Sequence, residues 1–98
     1  MAKGYIIARV RVDDMEQYKK YMALSPDAIA AFDGKFIIRG GKNVIVEGEA
    51  ETRRTVIIEF PSYQAATDCY ESDIYQSAKK FREDAGEGQF MVIEGVEE

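Results

Sequence analysis

Two stretches of this sequence alternate strictly, with apolar residues on both parities, and nothing else in it limits the fold as much. From Gly4 to Val12, Ile6, Ala8, Val10 and Val12 share one face, while Tyr5, Ile7, Arg9 and Arg11 share the other. From Arg54 to Phe60, Val56, Ile58 and Phe60 form one row, with Thr55, Ile57 and Glu59 opposite. A strand buried on one side alone would carry polar residues along its second face. Here Tyr5, Ile7 and Ile57 stand there, so the sheet calls for cover on both faces.

The stretches between these strands supply the first cover. Asp14-Met15-Glu16-Gln17 has the form of a helix N-cap, and Met15, Tyr18, Tyr21 and Met22 follow at helical spacing. Ser25-Pro26 is expected to interrupt, with Ser25 capping a short second helix that carries Ile29 and Phe32 and ends at Asp33-Gly34. Next come two β-rich runs, Phe36 to Arg39 and Val44 to Val46, around Gly40-Gly41. A tight hairpin at Gly41-Lys42 and one long strand bent at the glycines both fit. The bent strand is favoured, because Gly48 to Thr52 makes the better reversal, and it would pair Val44–Glu47 with Arg54–Ile57. After Pro61-Ser62 a helix runs to about Tyr70 with Ala66 and Tyr70 inward. Asp73-Ile74-Tyr75-Gln76 caps another, with Ile74, Ala78 and Phe81 as its apolar stripe, and Gln89 to Ile93 closes the sheet.

This order is two β-α-β halves. Right-handed crossovers put both sets of helices on one side of a four-stranded antiparallel sheet, the ferredoxin-like α+β arrangement, as one domain over residues 1–98. The uncovered face then predicts a second copy packed sheet against sheet, with Tyr5, Ile7 and Ile57 in the interface and Arg9 paired with Glu59.

Composition removes several functions. The net charge is -5, and the basic pairs Lys19-Lys20, Arg53-Arg54 and Lys79-Lys80 each have acidic neighbours, which argues against nucleic acid. No apolar run reaches the length of a membrane span, and the opening MAKGYIIARV reads as a strand rather than a leader. One cysteine and no histidine fit a reducing cytoplasm, rule out haem ligation by histidine and leave no ordinary zinc set, so no cofactor is expected.

The chain resembles, almost end to end, the uncharacterised bacterial family catalogued as domain of unknown function 1330. The resemblance rests on Lys3-Gly4-Tyr5, Ala8-Arg9-Val10, Tyr18 and Tyr21, Ser25-Pro26, Ala28-Ile29, and Phe36 through Arg39-Gly40-Gly41. It continues in Glu47-Gly48, Ile57 through Ser62, Tyr70, Tyr75 and Glu94-Gly95. That family looks like a member of the dimeric α+β barrel superfamily. Membership implies a homodimer and, among relatives, cofactor-independent monooxygenases, small-lactone isomerases, haem degraders that use a histidine, and non-catalytic binders.

Within that range the residues favour a small anionic or phenolic ligand. Arg39 beside Gly40 and Gly41 can grip a carboxylate or enolate, or can pair with Glu47 or Glu59 as a purely structural ion. Tyr18, Tyr21, Tyr70 and Tyr75 can donate a proton or simply fill the core. Ser25 reads better as a cap than as a ligand contact. Glu59 beside an arginine would be a weak base, and Cys69, flanked by Asp68 and Tyr70, reads as packing. Two functions stay open: a cofactor-independent enzyme, and a dimeric ligand-binding or interaction module.

Overall fold

The computed structural model describes residues 2–97. The elements are β1 (Gly4–Val12), α1 (Met15–Ala30), β2 (Lys35–Arg39), β3 (Arg54–Phe60), α2 (Tyr63–Glu71), α3 (Asp73–Glu83) and β4 (Gly86–Glu94). The strands form one sheet in the order β2-β3-β1-β4, every neighbour antiparallel. All three helices lie on one face, and the molecule spans only 17 Å in its short dimension. This is the ferredoxin-like arrangement.

The alternation decides which face each side chain takes. Ile6, Ala8, Val10, Val56, Ile58 and Phe60 are buried beneath the helices, which contribute Tyr18, Ile29, Ala66, Cys69 and Tyr75 to the same core. Helix starts follow local chemistry: Asp14 accepts from the Gln17 N–H at 3.1 Å and Ser62 from that of Ala65 at 3.0 Å. The third cap is Ser72, which accepts from the Tyr75 N–H at 3.2 Å, in place of the expected Asp73. Cys69 is fully buried, its thiol donates toward the Ala28 carbonyl at 3.6 Å, and burial pushes it up to about 11. It is a packing residue, held inert by desolvation more than by its acidic neighbours.

Four further expectations fail. First, α1 runs unbroken through Pro26. Ser25 is therefore a buried residue inside the helix rather than a cap. Second, Val44–Glu47 does not pair with β3, because Ile38 and Arg39 already occupy Ile57 and Val56. Gly40 donates the last ladder bond to the Thr55 carbonyl at 2.9 Å, then turns away at φ 69°, and residues 40–53 form a loop. Third, the buried stripe of α3 is Tyr75, Ala78 and Arg82, with Ile74 left 46 % exposed.

Fourth, Arg9 does not meet Glu59. The two strands are adjacent, but the register sets Arg9 opposite Thr55 and Glu59 opposite Tyr5, about 14 Å apart along the strand. Arg9 lies 3.6 Å from Glu51, and Glu59 lies 3.4 Å from Lys35 and 3.5 Å from Lys3. Two hydrogen bonds from the Arg53 side chain and one from its backbone hold the Glu51 carboxyl down at about 2, against an ordinary 4.5. Because its folded value is depressed, Glu51 stabilises the loop above pH 4.5, and that contribution is lost as pH falls through about 2. An NMR titration of its carboxyl carbon should show a midpoint near 2; a midpoint near 4.5 would mean the Arg53 contacts do not persist in solution.

Candidate functional site

The face beneath the helices holds a cleft between α1 and the sheet. Its floor is a row crossing all four strands, Arg39–Val56–Ala8–Phe90, fixed by the ladder registers. Arg54, opposite Val10 one step along, joins it. The roof is one stripe of α1, with Tyr18, Tyr21 and Ser25 at spacings of three and four residues, and Met22 beside them. The empty space measures about 380 Å³ where it runs out into solvent, but the part a water's centre can occupy is only about 20 Å³. The enclosed part thus holds about one water molecule, and the rest of the space is open to solvent.

Arg39 reaches this cleft through an irregularity in β2. Phe36 pairs with Ile58, and Ile38 with Ile57, so Ile37 is an extra residue on its strand. Plain alternation from Phe36 would send Arg39 to the bare face. The bulge restores it to the helix side, where its guanidinium sits 4.2 Å above the Phe36 ring. The turning point thus lies before the glycines, not at them. Gly40 has a separate use: a Cβ there would come within 3.0 Å of Arg54 Nε, so its bare backbone makes room for that guanidinium. Gly41 lines a groove on the opposite face and touches nothing in the cleft.

Two arginines not singled out from sequence complete the group. Arg54 has its Nε buried without a partner. Arg82, on α3, is 7 % exposed, stacked 4.0 Å from the Phe90 ring and 5.4 Å from that of Tyr21, and its Nε and Nη2 also lack partners. Among the described residues no carboxylate lies within ion-pair distance of Arg39, Arg54 or Arg82. Yet all three are close enough to Tyr18 to favour its ionised form, although burial, the larger effect, pushes that phenol above its ordinary value.

The tyrosines form layers behind the cleft. Tyr18 and Tyr21 line it, their rings 5.5 Å apart. The Tyr21 and Tyr75 hydroxyls lie 2.7 Å apart in a buried hydrogen bond, and burial raises both phenols. Tyr70 packs on Tyr75 at 5.2 Å and on Phe90 at 6.2 Å, one layer behind the cleft, which it does not line. Of the residues singled out from sequence, the cleft gathers Arg39, Tyr18 and Tyr21. Tyr75 backs them, Gly40 makes space for Arg54, and Tyr70 and Gly41 stand apart. The parity of Val56, Ile58 and Phe60 could have placed Arg54, since it shares their face. Among the described residues, no group of histidine, cysteine, aspartate or glutamate is placed to hold a metal.

The family model for "Domain of unknown function (DUF1330)" matches residues 3–96. The chain belongs to the DUF1330 family. Among solved structures, this DUF1330 chain is similar to a protein of unknown function from Rhodopseudomonas palustris, at 20 % identity and a TM-score of 0.75. That match covers 99 % of this chain and 85 % of the other. A proposed antibiotic biosynthesis monooxygenase from Caulobacter crescentus matches at 14 % identity and a TM-score of 0.61, over 98 % and 92 % of the two chains. Another, from Nitrosomonas europaea, matches at 14 % and 0.56, over 99 % and 100 %. At these identities the likeness shows the fold. No curated protein matches this chain.

Proposed function

We propose that the cleft binds a small organic anion and that the protein acts on it without a cofactor, in the manner of a monooxygenase or an isomerase. The observation that carries this reading is the set of three guanidiniums around Tyr18 with no carboxylate, among the described residues, to neutralise them. Arg82 is buried and Arg54 half-buried, while Arg39 is exposed. A buried or half-buried cation without a counter-ion is costly, and a chain with 18 acidic residues had ample means to supply one. An anionic ligand relieves that cost. The names of the monooxygenase relatives support an enzyme on this fold. In calorimetric titration with benzoate, Arg39→Ala and Arg54→Ala should each weaken binding by about tenfold, the scale of one charge-assisted hydrogen bond. Unchanged affinity in both variants would remove the assignment.

Among the described residues, the lining contains no aspartate, glutamate or histidine, and its weakly acidic side chains are the phenols of Tyr18 and Tyr21. That favours, as a second reading, a module that binds its ligand and returns it unaltered. Native mass spectrometry of the co-purified ligand, before and after incubation in air, separates the two.

The opposite face of the sheet supports a homodimer. An apolar row, Ile38–Ile57–Ile7–Met91, crosses all four strands there. Ile93 is 43 % exposed beside it, and the loop adds Val44 and Val46 at 77 % and 90 %. Light scattering at micromolar concentration should give the mass of two chains, and Ile57→Glu should give one, with its circular dichroism retained. A monomeric parent protein would end the dimer proposal.

A further inference from the structure

The Tyr21–Tyr75 pair has a direction, and that direction makes one end of the cleft a donor. Tyr75 is 1 % exposed, and the Tyr21 oxygen is the one acceptor its hydroxyl reaches among the described residues. If Tyr21 donated instead, the Tyr75 proton would be buried without an acceptor, because the neighbouring Arg82 offers only donors. The satisfied arrangement has Tyr75 donating to Tyr21. The Tyr21 proton is then free to turn toward the Ser25 hydroxyl and the cleft that both residues line.

Arg82 stands behind this donor. It does not line the cleft, but its charge lies 5.4 Å from the Tyr21 ring, uncompensated and largely screened from water. A fixed positive charge and an aimed O–H together stabilise negative charge on a single oxygen. The other end differs: Arg39 and Arg54 present planar forks suited to a two-oxygen group. We infer that Tyr21 is the donor to an enolate- or phenolate-type oxyanion of the ligand, with Tyr75 and Arg82 as positioning residues behind it. This rests on the cleft being an anion site, and it narrows the ligand to a small compound with an ionisable hydroxyl or an enolisable carbonyl.

The test uses para-nitrophenol, whose colour reports its own ionisation, with benzoate as the carboxylate control. The intact protein should bind the phenolate in preference to the phenol, so the probe's apparent pKa falls on binding. Tyr21→Phe and Arg82→Met should each weaken phenolate binding by about tenfold. Tyr75→Phe should bind less tightly and return the probe's pKa toward its free value. A merely structural role for Tyr75 or Arg82 would leave the probe's ionisation unmoved in variants that stay folded by circular dichroism. If Tyr21→Phe binds phenolate as tightly as the parent while Arg39→Ala and Arg54→Ala do not, the anion cleft stands and the Tyr21 donor is refuted. If neither probe binds the parent protein, the cleft reading fails and this inference fails with it.

Discussion

Replacing Arg82 with methionine should make this protein more stable while weakening its grip on an anion. Arg82 is 7 % exposed, and two of its nitrogens have no hydrogen-bond partner. Each such buried donor costs about 1–3 kcal/mol. In its favour stand the stacking on Phe90 and Tyr21, about 0.5–2 kcal/mol, its place in the last turn of α3, about 0.3–1 kcal/mol, and its polar contact with the Tyr75 hydroxyl, about 1 kcal/mol. Methionine keeps most of the volume and the contact with both rings while removing the unsatisfied donors. A net gain of about 1 kcal/mol follows, or about 4–8 °C in melting temperature for a domain of this size. Arg82→Ala removes the same charge but leaves a void where the stem packed, so it should lower the melting temperature. A melting temperature that falls in Arg82→Met as far as in Arg82→Ala would mean the guanidinium is a structural element. The cleft would then lose its strongest sign of being built for a ligand.

The same residue shows where the sequence stops being readable. The sheet was legible because period-two alternation in Gly4–Val12 and Arg54–Phe60 leaves one way to bury each strand, and right-handed crossovers settle the rest. Tyr18 and Tyr21 were legible as members of a helical stripe. Arg82 was not, because the pattern Ile74–Ala78–Phe81 is the more apolar of two stripes and outcompetes Tyr75–Ala78–Arg82 on paper. The orientation of Arg39 was hidden for another reason. It depends on one extra residue, Ile37, which has no local signature, since bulges are set by what the neighbouring strand can pair with. The Arg9–Glu59 pairing failed on register alone: a correct strand neighbour offset by four residues has the wrong partner. Pro26 misled because propensity marks it as a helix breaker, and here the packing of Ala28 and Ile29 carries α1 past it. Fold is written in repeated, redundant signals; the site depends on single residues that break them.

The Gly40-Gly41 pair puts that distinction to a direct test, since the two glycines look alike in sequence and differ in structure. Gly40 lies at φ 69°, and a side chain there would press within 3.0–3.2 Å of Nε, Cζ and Cγ of Arg54. A β-branched residue is both strained at positive φ and too bulky for the guanidinium beside it. Gly40→Val should therefore cost about 1–3 kcal/mol, lowering the melting temperature by about 4–8 °C for each kcal/mol. It should also displace Arg54 and weaken benzoate binding alongside. A Cβ added at Gly41 would meet nothing within 4 Å, and its φ is not positive, so Gly41→Ala should not lower melting and should leave binding within error of the parent. Its one expected effect on stability, a gain of about 0.4–1 kcal/mol from a stiffer unfolded chain, is opposite in sign to the loss at Gly40 and sharpens the contrast. Equal losses in the two variants would show that the loop after β2 is packed more tightly than this structure has it. A stability loss in Gly40→Val with benzoate affinity intact would instead separate the backbone turn from the cleft, and leave Arg39 to hold the anion without Arg54.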